Sequence, residues 1–89
     1  MPPSPTSADA DRTIVLYGRP GCHLCEEAAE LLDAILGPDG YRSVDIEPDD
    51  DLLARYAHRI PVVSVDGVDR LEGLITGPAI RAIVEASPA

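Results

Sequence analysis

Apolar residues fall along the chain in short blocks, and the spacing inside each block predicts a different element. Thr13-Ile14-Val15-Leu16-Tyr17 is an unbroken apolar, β-branched run, the pattern of a strand covered on both faces. Gly18-Arg19-Pro20-Gly21 interrupts it. Leu24, Ala28, Leu31, Leu32 and Ile35 then recur at helical spacing on one stripe, and Gly37-Pro38 ends that helix. Tyr41 to Ile46 reads as a second strand with Val44 and Ile46 on one face.

Pro48 and the acidic run Asp49-Asp50-Asp51 open a second, shorter helix, because a carboxylate there accepts from unpaired backbone N–H groups. Three adjacent carboxylates do not converge on one cation, so the run reads as a cap and not as a metal site. Leu52, Leu53, Tyr56 and Ala57 supply the buried side of this helix, with Arg55 and His58 as its solvated residues. Pro61-Val62-Val63-Ser64-Val65 is a third strand. Asp66-Gly67 is a two-residue turn of the kind that needs positive φ, and it leads straight back into Val68 to Glu72. Thr76-Gly77-Pro78 begins a last helix with Pro78 at the first helical position, and Ile80, Ile83 and Val84 form its apolar face.

The order β-α-β-α-β-β-α predicts an α/β fold, a four-stranded mixed sheet with helices on both faces. The first two strands should be parallel through a right-handed crossover, and the last two an antiparallel hairpin. The folded domain is expected over residues 13–87. Residues 1–12, rich in Pro, Ser, Ala and Asp, read as a disordered tail.

Composition narrows the function. A chain of 89 residues is one small domain, expected as a monomer. With no Trp, no Phe and three Tyr, the core is expected to be aliphatic, and an aromatic platform for stacking bases is excluded. A net charge of -9 opposes nucleic acid and anionic membrane surfaces. The seven Lys+Arg residues are all Arg, so neither a Schiff-base lysine nor a P-loop lysine is available. No stretch approaches the ~18–20 apolar residues of a membrane span. The first residues carry no basic and apolar leader pattern, so the cytosol is the expected compartment. Thiols there are kept reduced, and a disulfide is usually transient and catalytic.

The chain has two cysteines, Cys22 and Cys25. A bond between them closes almost no loop and adds little stability, so the pair is useful for chemistry if it is useful at all. Cys22 falls at the cap or first position of the first helix and Cys25 one turn later, on the same face, where the sulfurs can bond. Cys22 is expected to be the more exposed, with Cys25 pointing back into the domain. Unpaired N–H groups and the positive dipole end favour a thiolate at Cys22. A fall in thiol pKa from ~8.5 to ~7 needs about 2 kcal/mol, of which the dipole supplies about 0.3–1. A hydrogen bond from Cys25 and the charge of Arg19 or of protonated His23 are the available supplements, and Glu26 and Glu27 oppose them. The Cys22 thiolate would attack a disulfide, and Cys25 or an outside thiol would resolve the mixed disulfide, with no metal or bound cofactor. The alternatives are a non-catalytic binding module and a metal or cluster carrier using the same cysteines. Structural zinc wants four protein ligands, and the other soft donors are only His23, inside the motif, and distant His58.

Val15 to Cys25, then Arg59-Ile60-Pro61-Val62-Val63 and the Asp66-Gly67 hairpin, resemble a glutaredoxin-like protein of the thioredoxin superfamily. The resemblance is to the small bacterial glutaredoxin-like family, and it runs from about Thr13 to Ser87. It implies a thioredoxin-like fold and a dithiol–disulfide oxidoreductase, with Cys22 as nucleophile and Cys25 as resolving thiol. It further implies a cis peptide at Ile60-Pro61 beside the cysteines, with the Ile60 backbone pairing with an extended thiol substrate. Arg19 lies where family members often carry a basic residue near the glutathione carboxylate; the simpler reading is a solvated loop charge. Gly73 is the counterpart of one glycine of the Gly-Gly pair that precedes the last helix in glutaredoxins proper, and the acidic residues that follow that pair are absent. His23-Leu24 replaces the usual Pro-Tyr between the cysteines. His23 could tune the thiolate, although a surface histidine covering the helix start is the simpler reading. The partners implied are disulfide-bearing proteins or glutathione, the latter as a co-substrate, together with an upstream reductase.

Overall fold

The computed structural model describes residues 13–85. The tail expected over residues 1–12 and the last two residues of the expected domain, Ala86 and Ser87, lie outside the described residues. The elements are β1 (Ile14–Gly18), α1 (His23–Leu36), β2 (Arg42–Asp45), α2 (Asp50–Tyr56), β3 (Val62–Val65), β4 (Val68–Glu72) and α3 (Gly77–Glu85). They form a four-stranded sheet in the order β2-β1-β3-β4. β1 runs parallel to β2 and antiparallel to β3, and β3 and β4 form an antiparallel hairpin. The expected mixed α/β architecture is therefore present.

Side-chain alternation along the two central strands distributes the core between two faces. Ile14 and Leu16 of β1 and Val63 and Val65 of β3 point toward α1 and α3, where Ala28, Leu32 and Ile80 close an aliphatic cluster. Tyr17 and Val62 point to the other face, where α2 contributes Tyr56 and Ile46 lies beneath it. The turn that returns β3 into β4 has positive φ at both central residues, 52° at Asp66 and 84° at Gly67, so its own twist matches that of the strands. It is pinned to the start of β1: the Thr13 N–H donates to Asp66 Oδ1 at 2.8 Å, and the Asp66 N–H to the Thr13 carbonyl at 2.8 Å.

Several expectations need correction. Gly18 is not an interruption but the buried last residue of β1. β2 is shorter than Tyr41 to Ile46, and Pro61 precedes β3 instead of opening it. Pro78 is the second residue of α3, with Thr76 accepting from the Ala79 N–H at 3.3 Å through Oγ1. Pro78 still falls in the first turn, where a missing N–H costs nothing. His58 lies in the turn after α2. Leu24 is 40% exposed, so the buried stripe of α1 begins at Cys25. Nor is the core purely aliphatic: Tyr56 is buried, and Tyr17 stacks on it with ring centroids 4.4 Å apart.

Candidate active site

The site is built where β1 hands over to α1. Gly21, at φ 81°, turns the chain with a backbone that only glycine adopts without cost. Cys22 is the N-cap of α1, with extended backbone (φ -92°, ψ 109°). Its carbonyl accepts from the Glu26 N–H at 3.0 Å. Its Sγ accepts from the Cys25 N–H at 3.2 Å, in the place a Ser or Asp oxygen would occupy in an ordinary cap. Cys22 and Cys25 are joined by a disulfide, with Cα atoms 5.2 Å apart. Cys22 is half-buried and Cys25 is 6% exposed, so a reagent from solvent meets the Cys22 sulfur first.

Cys25 packs on Gly18. A Cβ added at Gly18 would lie 3.1 Å from both Cβ and Sγ of Cys25. That residue is thus a close-approach glycine beneath the second sulfur, a role its reading as a strand breaker missed. The register of β1 against β3 pairs Tyr17 with Val62, and its next step sets Gly18 opposite Pro61. The Ile60-Pro61 peptide is cis. Pro61 is fully buried, and its carbonyl accepts from the Gly73 N–H at 2.9 Å. Pro61 and Gly73, far apart in sequence, are therefore neighbours on the β3–β4 flank of the cysteines. The Ile60 N–H donates to the Tyr56 carbonyl at 3.0 Å, so it is already paired within the chain.

Arg19 lies on the opposite flank. It is exposed and lines a cavity of about 280 Å³ that Gly18, Cys25 and Glu26 share with Ser43, Val44 and Asp45 at β2. With β2 and β3 on opposite sides of β1, Arg19 is not grouped with Ile60, Pro61 and Gly73. His23 is 81% exposed, and its Nε2 lies 2.7 Å from Glu27 Oε2, one turn along α1. Protonated His23 would thus spend its charge first on that carboxylate.

The largest feature missed by the sequence reading lies beside Ile60. The Arg59 guanidinium donates to Glu72 through Nε (3.1 Å) and Nη2 (2.8 Å), and to Asp69 Oδ2 through Nη2 (3.0 Å). It also lies over the Tyr56 ring, 5.2 Å from the centroid. Tyr56 donates its hydroxyl to the other Asp69 oxygen at 3.0 Å. Burial pushes the Tyr56 hydroxyl pKa up; Arg55 opposes that rise, and the Asp69 contact adds to it. The available signal was an Arg in the turn after α2 and two acids on β4, but nothing local in the sequence pairs them.

A family model described as Glutaredoxin-like domain (DUF836) matches residues 13–85. Among solved structures, the chain is similar to target protein XcR50 from X. campestris, at 36% identity and a TM-score of 0.72, covering 85% of this chain and 100% of that one. It resembles a mutant thioredoxin from Halobacterium salinarum at 18% identity and a TM-score of 0.65, covering 93% of this chain and 84% of that one. It resembles oxidized glutaredoxin 2 from Chlamydomonas reinhardtii at 19% identity and a TM-score of 0.55, covering 90% and 78% respectively. These last two likenesses speak for the fold, which is thioredoxin-like. No curated protein matches the chain.

Proposed function

We propose that this chain, which belongs to the glutaredoxin-like domain family, is a dithiol–disulfide oxidoreductase. In this reading Cys22 is the attacking thiolate and Cys25 the resolving thiol. The observation that carries it is the asymmetry of the pair. One sulfur caps α1 and takes an N–H bond from Cys25, and the other is buried on Gly18 within bonding reach. When the disulfide is open, the same N–H and the helix dipole favour negative charge on Cys22. A buried thiol at Cys25 stays protonated until it is needed.

In the forward cycle the Cys22 thiolate attacks one sulfur of a target disulfide. A Cys22–target bond forms, the target's S–S bond breaks, and the target's other sulfur leaves as a thiolate that takes up a proton. Cys25 then loses its proton and attacks Cys22, forming the intramolecular disulfide and releasing the second target sulfur as a thiol. Two electrons pass from the dithiol to the target, and an external thiol or reductase returns them. The substrates are protein disulfides or glutathione mixed disulfides, with glutathione as a co-substrate and not as a bound cofactor. The cysteines need no metal for these steps. The cytosol, with its reducing thiol pool, suits the cycle. Ile60, Pro61 and Gly73 line the flank on which an extended substrate would lie, and Arg19 supplies positive charge on the other.

The test is turnover assayed separately with glutathione plus its reductase and with thioredoxin plus its reductase. Cys22→Ser should reduce either rate to the uncatalysed background, and its reduced form should lose rapid alkylation by iodoacetamide near neutral pH. Cys25→Ser should accumulate a mixed disulfide visible by mass. Full activity in Cys22→Ser, or no turnover with either donor system, would sink the reading. Success with only one donor identifies the electron source.

A further inference from the structure

Of the ion pairs among the described residues, two converge on one side chain, Arg59. That residue immediately precedes the Ile60-Pro61 bond. The segment it belongs to leaves α2 tightly, with the Arg59 and Ile60 N–H groups both donating to the Tyr56 carbonyl, at 2.8 and 3.0 Å. Its guanidinium then reaches across to β4. The chain is thus held at both ends of a short span, by α2 behind and by the hairpin in front. The Ile60 carbonyl sits between, next to the strand position opposite Gly18.

A break in strand register makes this possible. In the hairpin Val62 pairs with Glu72 and Val63 with Leu71, but Ser64 pairs with Asp69, so Arg70 is passed over as a bulge. In a regular strand, residues 69 and 72, three apart, would point to opposite faces. The extra residue reverses the alternation. Glu72 then lies on the face of Val62, Asp69 on the face of Ser64, and these two positions of β3 share a face. Both carboxylates therefore meet one guanidinium, whose fork of donors suits two acceptors at once. Asp69 is further fixed by the Tyr56 hydroxyl, and Tyr56 by its stack on Tyr17, one residue before Gly18.

We propose that Arg59 is a positioning residue for the substrate groove. The bulged hairpin, through Asp69 and Glu72, holds the Ile60-Pro61 backbone at the distance from the cysteines that an extended disulfide substrate needs. The inference rests on the oxidoreductase reading, and Arg59 itself touches neither sulfur nor substrate. Loss of the clamp lets the Ile60 carbonyl wander and weakens substrate binding, while the chemistry of Cys22, set by α1, is untouched.

The experiment compares wild type, Arg59→Ala and Arg59→Lys, with insulin as disulfide substrate and dithiothreitol as reductant. Arg59→Ala should raise KM for insulin about three- to tenfold, the size of the loss of one or two half-exposed ion pairs. Its kcat and the alkylation rate of reduced Cys22 should stay within about twofold of wild type on that scale. Arg59→Lys, with one compact charge in place of the fork, should fall between them. Amide exchange supplies a readout independent of turnover. The Ile60 and Gly73 N–H groups should exchange several-fold faster in Arg59→Ala, while those of α1 do not change. An unchanged KM in an active protein, a parallel fall in Cys22 alkylation, or unchanged exchange at Ile60 and Gly73 would overturn the proposal. The oxidoreductase reading itself fails only if the wild type reduces neither insulin nor a glutathione mixed disulfide; where insulin alone fails, KM is read on the mixed disulfide, and in every case the exchange rates decide whether Arg59 holds the loop.

Discussion

The two faces of the sheet are held by different physics. Under α1 and α3, aliphatic side chains such as Leu16, Leu32, Val63 and Ile80 fill the space with no buried charge among them. Under α2 the buried cluster is Ile46, Tyr56 and Val62, and its edge is closed by a stacked tyrosine pair, an arginine and two carboxylates. Hydrophobic burial is non-directional and scales with area, so the first face stabilises the domain without fixing any one backbone segment finely. Stacks, forked ion pairs and hydrogen bonds have preferred geometries, so the second face adds little burial but aims what it touches. The face that aims is the one carrying Ile60-Pro61. The redox helix α1 grows from the face that merely holds, and its cap geometry is set locally by Cys22 itself.

The comparison is broken most directly by emptying the aliphatic face. Leu32 is fully buried, so Leu32→Ala should cost about 2–5 kcal/mol through lost transfer energy and a residual cavity. Denaturant unfolding measures it, and a domain this small stands to lose much of its stability. A cost below about 1 kcal/mol would mean that this face collapses around the gap and is not close-packed. On the α2 face a separate, local contribution comes from the cap. Asp49 accepts from the Asp51 and Leu52 N–H groups at 2.9 and 3.1 Å, and α2 has only seven residues. Asp49→Ala should therefore cost about 1 kcal/mol, and should speed amide exchange through α2 while leaving α1 alone.

Tyr56→Phe isolates a directional contribution. It keeps the ring on Tyr17 and under Arg59 but deletes the hydroxyl donated to Asp69. The expected loss is about 0.5–1.5 kcal/mol, the usual net worth of one hydrogen bond. If Tyr56→Phe proves as costly as Leu32→Ala, the α2 face contributes stability on the scale of the aliphatic one, and the distinction between holding and aiming fails.

How much of this was legible in the sequence follows the same division. Helix stripes, the Asp66-Gly67 turn, the Asp49 cap and the placing of Cys22 at the start of α1 are written in residues a few positions apart, and they were readable. The aliphatic face follows from them, because any apolar stripe must find another. The aiming face depends on partners that only the fold joins, Arg59 with Asp69 and Glu72, and Tyr17 with Tyr56. The bulge at Arg70 decides which way Asp69 points, and no glycine or other local marker announces it. The exposure of Leu24 was hidden for a related reason. Helical spacing shows which residues share a stripe but not where the stripe meets its neighbour, and in the first turn of α1 it is Cys25, not Leu24, that packs on β1.

Tyr41 tests the division from the side of the aliphatic face, where it reaches onto α1 as a polar contact. Its hydroxyl donates to Asp33 Oδ1 at 2.8 Å and to the Ala29 carbonyl at 3.4 Å. Burial, helped by the Asp33 bond and the Asp33 charge, pushes its pKa up to about 12. The neutral form is thus favoured in the folded protein. Between the ordinary value near 10 and about 12, the unfolded chain has lost the Tyr41 proton while the folded chain keeps it, so stability falls as pH rises through that window. Below pH ~10 the contribution is fully present and constant. Tyr56, whose pKa is also raised by burial, adds a slope of the same sign. Tyr41→Phe should therefore flatten, without abolishing, the alkaline loss of stability measured by urea unfolding, while changing little at neutral pH beyond the loss of the hydroxyl's contacts to Asp33 and Ala29. The ring signals of Tyr41 should titrate above those of a free tyrosine. An unshifted titration, or an alkaline slope unchanged in Tyr41→Phe, would show that the Asp33 contact is loose, and that the aliphatic face gains nothing from an aimed polar interaction at this position.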